Sequence, residues 1–265
     1  MTKTRIWIAA IGFLGIAFLI SQDTMANFAW KKRHSPAIAL MLAARDEKLL
    51  MSLGNYYFNG GAYDLRRAKK AYEKALRVDP KILWGHYQLA RILFVKGDGD
   101  AAIDEINKEL EVNPENLRSL YVRGLIYGYR NSAGDLERAA EDFSRFTAWA
   151  PSEWAGYNDL AWILSKAGRY QEAKEAIQNA FASAPNATNN PWLWNSLGVA
   201  ELNLGEYKNA ERSFERAIEL AGKLSLADWR RSYPGNDPAS ADSGLDQFKE
   251  ALGKNRERAK TLGAM

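Results

Sequence analysis

Prolines recur through the middle of this chain at nearly constant intervals. Pro80, Pro114, Pro151 and Pro185 are separated by 34, 37 and 34 residues. Small residues keep the same period, and one set, separated by 34, 37, 34 and 37 residues, is Ala68, Ala102, Ala139, Ala173 and Ala210. A self-similar unit of this length indicates a repeat protein, in which one unit is too small to bury its own apolar face. We therefore expect neighbouring units to stack.

Residues 49–80 show what one unit contains. A first apolar stripe at helical spacing consists of Leu50, Leu53, Tyr57 and Phe58. Turn formers at 59–61 interrupt this stripe. A second stripe consists of Ala68, Tyr72, Ala75 and Leu76, and Pro80 then ends the helix because the residue before a proline disfavours the α region. One unit is therefore predicted to be a helix, a tight turn and a second helix.

Glycines inside the first helices predict close helix crossings. Gly54, Gly124 and Gly198 occupy equivalent positions in three units. Glycine in a helix interior costs about 1 kcal/mol relative to alanine, so its use there suggests a packing reason. We expect Tyr72 to fill the space beside Gly54.

The recurring positions resemble the tetratricopeptide repeat family. The first unit carries the family pattern at Leu50, Leu53, Gly54, Tyr57, Ala68, Tyr72, Ala75 and Pro80. Five units in register extend the resemblance over residues 47–224. The chain departs from the pattern at Glu109 and Phe146, where a small residue is usual, at Arg123, where leucine is usual, and at Gly222, which replaces the closing proline.

The resemblance implies an all-α fold, a right-handed superhelical solenoid of about five helix-turn-helix repeats. The predicted repeats are residues 47–82, 83–116, 117–153, 154–187 and 191–224, within a domain that covers residues 35–224. Residues 1–34 are predicted to be a membrane anchor (or signal) with a basic flank. Residues 225–265 are predicted to be a turn-rich connector followed by a helix that either caps the fifth repeat or docks separately.

The resemblance also implies a binding surface for a protein or peptide partner. In this family the first helices of successive repeats line a concave groove that holds peptides. The predicted groove residues, carried over by position, are Asn55, Trp84, Tyr87, Arg91, Arg118, Tyr121, Asn158, Trp162 and Asn195. The family's clamp for a carboxyl terminus is absent, because Met51 and Val122 replace its lysine and arginine.

An apolar run near the start of the chain predicts membrane attachment. Lys3 and Arg5 precede the run at residues 6–20, which would reach about 23 Å as a helix, less than the hydrocarbon core of about 30 Å. An uncleaved anchor is favoured over a cleaved signal or a buried or interfacial helix, with the amino terminus inside and the repeats outside the cytoplasm. The proposed anchor residues include Ile6, Trp7, Phe13, Leu14, Phe18 and Ile20.

Composition argues against catalysis. The chain has no cysteine and only two histidines, His34 and His86, and we expect His86 to be a packed residue of a first helix. The acidic stretch 97–100 coincides with a repeat turn and lacks the ligand spacing of a calcium loop. No cofactor, metal or small-molecule substrate is predicted. Nucleic acid is not predicted either, because the net charge of +4 is modest and basic residues alternate with acids.

Two functional hypotheses follow. The first is a non-catalytic, membrane-tethered adaptor that binds a protein or peptide in its groove. The alternative is a structural scaffold or accessory subunit of an envelope complex that uses the convex surface. The aromatic and amide side chains predicted for the groove favour the first hypothesis, because Tyr, Trp and Arg are enriched at binding hot spots.

Overall fold

The computed structural model describes residues 21–59, 63–232 and 238–265, and only the backbone at residues 231 and 238–242. In these ranges all regular secondary structure is helical, so the all-α prediction is confirmed. The repeat helices are α3 (Glu47–Phe58), α4 (Leu65–Val78), α5 (Gly85–Val95), α6 (Gly99–Val112), α7 (Leu117–Arg130), α8 (Asp135–Trp149), α9 (Trp154–Lys166), α10 (Tyr170–Ser183), α11 (Pro191–Asn203) and α12 (Tyr207–Gly222). The flanking helices are α1, described over 21–31, α2 (Pro36–Leu42), α13 (Leu226–Ser232) and α14 (Pro238–Gly263), and a short 3-10 turn covers Ala187–Asn189.

Acidic side chains start several of these helices. The Asp46 carboxylate accepts a hydrogen bond from the amide of Leu49, and Asp64 caps α4 in the same way. Asp98 caps α6 directly after Gly97, which has a φ of 83°. The stretch 97–100 is thus a turn followed by a helix cap, as its position in the repeat predicts.

The helices form two compact units, residues up to Asn113 and residues from Pro114 onward. In the first unit, α3 packs on α4, α4 on α5 and α5 on α6. In the second unit, the helices from α7 to α12 pack in chain order, and first helices of neighbouring repeats also touch.

The predicted close crossings are present within repeats. A Cβ atom added to Gly54 would lie 2.4 Å from the Tyr72 ring, so the two helices can approach only because this residue lacks a side chain. Equivalent pairs, with distances of 2.9 and 2.7 Å, are Gly124 with Phe143 and Gly198 with Phe214. The five alanines of the repeat period are fully buried at the same interfaces.

Three of the four departures from the family pattern have structural reasons. The Glu109 side chain is fully buried and accepts hydrogen bonds from the backbone amides of Trp84 at 2.9 Å and Tyr87 at 3.2 Å. It therefore satisfies amides at the start of α5, which has no side-chain cap of its own. Arg123 forms a two-pronged ion pair with Asp142 at 2.8 Å.

The third departure, Phe146, fills space beside a glycine of the next repeat. A Cβ atom on Gly156 would lie 2.7 Å from the Phe146 ring. The ring also lies 5.0 Å from that of Tyr121, between centroids. A large side chain is tolerated in α8 because α9 offers a residue without a Cβ opposite it.

Residues before the first repeat pack against it. The Asp23 carboxylate accepts a hydrogen bond from the amide of Ala44 at 2.7 Å, and Asn27 donates to Asp46 at 2.7 Å. The Lys74 amine donates to the carbonyl oxygens of Leu40, at 3.0 Å, and Ala43. The buried residues contributed by this segment are Ala26, Ala29, Ala39, Leu40 and Ala43. Hydrogen bonds thus hold residues 21–34 to the segment that leads into α3, and Ala26 and Ala29 join the buried core of the first repeat.

The last helix, α14, covers the outer face of α12. Leu252 is fully buried against Ala217 and Ala221. The Phe248 ring stacks on Trp192, with centroids 5.7 Å apart, and Trp229 of α13 joins the same cluster.

The prediction of a single-pass membrane protein is wrong. Over residues 21–59, 63–232 and 238–265, no helix is both long enough and apolar enough to cross a bilayer. The longest of them, α14, carries charged residues such as Lys249, Glu250 and Arg256, which are costly to place in hydrocarbon. The proposed anchor residues, Ile6, Trp7, Phe13, Leu14, Phe18 and Ile20, lie outside the described residues.

Candidate peptide-binding surface

The predicted groove residues lie on the first helices of the repeats or, for Trp84, directly before one, and in the first unit they form one connected cluster. Asn55 of α3 is exposed, and its side-chain oxygen accepts hydrogen bonds from the Tyr72 hydroxyl at 2.7 Å and from Gln88 at 3.3 Å. Tyr72 is buried in the second helix of the same repeat, whereas Gln88 belongs to α5. Asn55 therefore links two repeats while remaining open to solvent.

Arg91 of α5 is held beside aromatic rings. Its guanidinium carbon lies 4.7 Å from the centroid of the Phe58 ring and 5.7 Å from that of Tyr87. Its Nη1 donates to Gln88 at 2.9 Å. Trp84, which is 39% exposed, meets Tyr87 edge-on at 5.2 Å. This surface combines a fixed cation with exposed aromatic area.

In the second unit a chain of hydrogen bonds connects three first helices. The Tyr121 hydroxyl of α7 donates to Asp159 Oδ2 of α9 at 2.6 Å. Asn158 Nδ2 donates to Asp159 Oδ1 at 3.1 Å, and Asn158 Oδ1 accepts from the Ser196 hydroxyl of α11 at 2.9 Å. We call Tyr121, Asn158, Asp159 and Ser196 the polar track.

Burial changes the acidity of Asp159. Loss of solvation raises the pKa of its carboxyl group from an ordinary value near 3.8 to about 6, although the hydrogen bonds from Tyr121 and Asn158 favour the ionised form. At pH 7.5 the group is therefore mainly a carboxylate. The polar track thus contains one negative charge at neutral pH.

Aromatic side chains border the polar track. The Trp162 ring of α9 lies 5.1 Å from the ring of Tyr129 on α7, between centroids, and 67% of Tyr129 is exposed. The Lys166 amine lies 5.2 Å from the Trp162 ring and donates to the carbonyl oxygen of Gly128 at 2.7 Å. Trp162 fits against α7 because residue 128 has no side chain there.

Two predicted groove residues of the second unit lie elsewhere. Asn195 of α11 receives a hydrogen bond from Asn255 of α14 at 3.4 Å, so a helix of the same chain contacts it. Arg118 lies at the start of α7, half exposed, 3.9 Å from Glu153. The structure therefore brings together Tyr121, Asn158 and Trp162, and leaves Arg118 and Asn195 in separate contacts.

Asp159, Tyr129 and Ser196 are not among the groove residues predicted from the sequence. The positional pattern of the family does not include them, and their proximity depends on contacts between repeats. One signal was available: Asp159 is the sole acidic residue of α9, a helix whose other residues are mostly apolar. An isolated carboxylate in such a helix needs a partner or a function.

His86, which could have been a catalytic group, has a structural partner. His86 Nδ1 lies 2.6 Å from Glu105, and the ring is largely buried, as predicted for a packed histidine. Burial opposes ionisation of Glu105, but hydrogen bonds from His86 and Lys108 lower its pKa overall. In the part of the chain that the structure describes, no group of three His, Cys, Asp or Glu residues could hold a metal ion.

Comparison with known proteins agrees with this architecture. The family model for the tetratricopeptide repeat matches residues 53–116, 87–153, 129–191 and 158–225, together more than half of the chain. The chain therefore belongs to the tetratricopeptide repeat family. Proteins of this family are mostly non-catalytic adaptors or scaffolds, and their repeats generally bind protein or peptide partners.

Similar curated proteins are longer than this chain. Human tetratricopeptide repeat protein 13 is 25% identical over 166 residues, which cover 62% of this chain and 19% of that protein. Protein FlbA of Caulobacter vibrioides is 28% identical over 130 residues, which cover 45% of this chain and 21% of FlbA. The BBSome complex member BBS4 of Bos taurus is 25% identical over 206 residues, which cover 76% of this chain and 37% of BBS4. The chain thus spans less than two fifths of the length of these relatives.

Solved structures show the same fold. The MamA protein superposes with a TM-score of 0.57 at 19% identity, covering 71% of this chain and 94% of MamA. YrrB, described as a tetratricopeptide repeat protein with an unusual peptide-binding site, superposes with a TM-score of 0.57 at 18% identity, covering 75% and 98%. At these identities the likeness concerns the fold alone.

Proposed function

We propose that this protein is a non-catalytic adaptor that binds an extended segment of a partner protein across the first helices of its repeats. The observation that carries the proposal is the polar track of the second unit, which joins α7, α9 and α11 and is bordered by Trp162 and Tyr129. Amide and hydroxyl groups in such a row can pair with both the donors and the acceptors of an extended main chain.

The bordering rings supply the apolar part of such a site. Trp and Tyr provide large contact areas with few rotatable bonds, which is why they dominate binding hot spots. Tyr129 is two-thirds exposed in the free protein, so its ring is available to a partner. The Arg91 cluster of the first unit offers the same combination of rings and polar groups.

A peptide selection tests the proposal. The full chain would be immobilised and exposed to a phage library of random linear 12-residue peptides, and the selected peptides would be titrated against variants. We expect Trp162→Ala to weaken binding by about 10-fold or more, as for truncation of a hot-spot residue. Trp149→Ala is the matched control, because Trp149 is half exposed on a second helix.

A second pair of variants guards against misfolding of the first. Asn158→Ala removes one amide from the polar track, whereas Asn179→Ala removes an exposed amide from the second helix of the same repeat. Binding should fall for Asn158→Ala and persist for Asn179→Ala. If the selected peptides depend on Trp149 and not on Trp162 or Asn158, the convex-surface scaffold is the better description.

A further inference from the structure

Asp159 differs from the buried aspartates of the second unit, Asp135 and Asp142, because no cationic side chain of the described residues pairs with it. Asp142 is paired with Arg123, and Asp135 is paired with Arg130, each through two hydrogen bonds of 2.8 Å. Asp159 is partly buried, and its partners are the Tyr121 hydroxyl and the neighbouring Asn158 amide. Within the described ranges no Lys, Arg or His forms an ion pair with it.

A carboxylate in this position is costly for the free protein. Removing a charge from water is unfavourable unless an opposite charge or several hydrogen bonds replace the solvent. Two hydrogen bonds use about half of the roughly four acceptor positions that a carboxylate offers. Asp159 therefore retains both charge and acceptor capacity for a further donor.

The surroundings of Asp159 are suited to a cationic side chain. Tyr121 donates a hydrogen bond to its carboxylate, and Trp162 lies three residues further along α9, on the same side of the helix, with its ring centroid 5.1 Å from that of Tyr129. Aromatic faces attract ammonium and guanidinium groups. Trp162 already binds one cation in this way, since the Lys166 amine lies 5.2 Å from its ring and is held there by Gly128.

We propose that Asp159, with the rings of Tyr121, Tyr129 and Trp162, forms a subsite for a lysine or arginine side chain of the bound partner segment. The carboxylate would form the ion pair, and the rings would cover the aliphatic part of the side chain. This inference rests on the proposed function and adds to it the chemistry of one partner residue. The negative charge of Asp159 also disfavours partners that carry a phosphate group at this subsite, because a carboxylate repels phosphate.

A double-mutant cycle tests the subsite. The peptides selected on the wild-type full chain at pH 7.5 would be inspected for a fixed Lys or Arg, and one such peptide would be synthesised with that residue and with norleucine in its place. Both peptides would be titrated against wild type, Asp159→Asn and the control Glu175→Gln, whose carboxylate is exposed on a second helix. Melting temperatures would be recorded for all three proteins.

We expect Asp159→Asn to weaken binding of the basic peptide by about 10- to 100-fold, as for loss of a charge-assisted hydrogen bond. The norleucine peptide should bind wild type about as weakly as the basic peptide binds Asp159→Asn. Its affinity for Asp159→Asn should be little lower than its affinity for wild type. Glu175→Gln should leave both affinities unchanged. The melting temperature of Asp159→Asn should not fall, because the substitution removes an unpaired charge, whereas a purely structural aspartate would lower it.

Several results would overturn the subsite. If the losses of binding free energy from Asp159→Asn and from the norleucine replacement are additive, the Asp159 carboxylate and the basic side chain of the peptide do not interact. Selected peptides that lack a fixed basic residue, but still depend on Trp162, would refute the subsite and leave the proposed function intact. Failure to select any peptide that depends on the first helices would refute both. The comparison of the two peptides on wild type does not depend on the variant's folding.

Discussion

At the scale of single residues, the small positions of the repeat decide how closely the helices pack. Ala173 is fully buried where α9 and α10 cross, at the same repeat position as Ala68 and Ala210. Protein interiors are close-packed, so a bulky side chain there has no free volume to enter.

Ala173→Trp is therefore expected to destabilise the protein by at least about 1–3 kcal/mol, since overpacking of a core forces backbone shifts. Urea denaturation of the full chain would measure the change. Gln171→Trp, at an exposed position of the same helix, is the control and should have little effect. An unchanged midpoint for Ala173→Trp would mean that the crossing can open without cost.

Asp159 makes a second prediction at this scale, in the free protein. Its pKa is raised to about 6 in the folded state, so the folded protein binds the proton more tightly than the unfolded chain does. The carboxylate thus lowers stability above about pH 6, and this cost disappears as the pH falls towards 4. On α7, Tyr121 donates a hydrogen bond to this carboxylate, and burial, together with the charge of Asp159, raises the pKa of Tyr129 above its ordinary value of 10, outside this pH range.

Asp159→Asn should therefore increase the free energy of unfolding at pH 7.5 by about 1–3 kcal/mol. The gain should vanish at pH 4. Denaturation curves of wild type and variant at both pH values would measure the difference, with Glu175→Gln as the control. A variant that is less stable than wild type at pH 7.5 would contradict the interpretation of Asp159 as an unpaired charge.

At the scale of elements, one helix supplies the cap of another. The first turn of α5 has no side-chain cap of its own, and the Glu109 carboxylate from α6 binds two of its amides. Its negative charge also suits the positive end of the helix dipole. The glutamate at a position where the family prefers a small residue thus ties together the two helices of the second repeat.

Glu109→Ala should destabilise the protein by about 2–4 kcal/mol, because it leaves two amides without their partner and opens a buried space. Thermal unfolding monitored by circular dichroism would measure this loss. Glu111→Ala, at an exposed position two residues away, should change little. Equal effects of the two substitutions would show that the cap contributes nothing to stability.

At the scale of the whole molecule, stability is shared between neighbouring repeats and their covering helices. The outer face of α12 is apolar and is covered by α14, with Leu252 fully buried at the centre of the contact. A terminal repeat without such a cover would expose its apolar face to solvent. A substitution that weakens the contact between α12 and α14 should therefore also destabilise the fifth repeat.

Leu252→Ala is expected to cost about 2–5 kcal/mol, as for other buried leucine truncations. Hydrogen exchange should show loss of protection in α11 and α12 as well as in α14, because these helices stabilise one another. Thr261→Ala, at an exposed position of α14, is the control. Loss of protection confined to α14 would mean that the helix does not stabilise the repeat beneath it.

Much of the fold could be predicted from the sequence. Helix periodicity, turn formers and the closing prolines are local signals, and the recurrence of small residues predicted which positions face a close neighbour. Gly54, Gly124 and Gly198 each meet the aromatic ring expected for the repeat. The prediction of a single-pass membrane protein is wrong, because no helix of the described residues can cross a bilayer, and the apolar run at residues 6–20 lies outside them.

The candidate site depended on tertiary structure. Tyr121 and Asp159 are 38 residues apart, and Asn195 and Asn255 are 60 apart, so neither contact follows from helical spacing. Local periodicity determined that the chain is an array of paired helices, because each side chain's place on a helix depends only on its neighbours in sequence. Packing between repeats decided that Asp159 has no cationic partner among the described residues and that α14 contacts Asn195, since burial and charge pairing arise from residues that meet only in the folded protein.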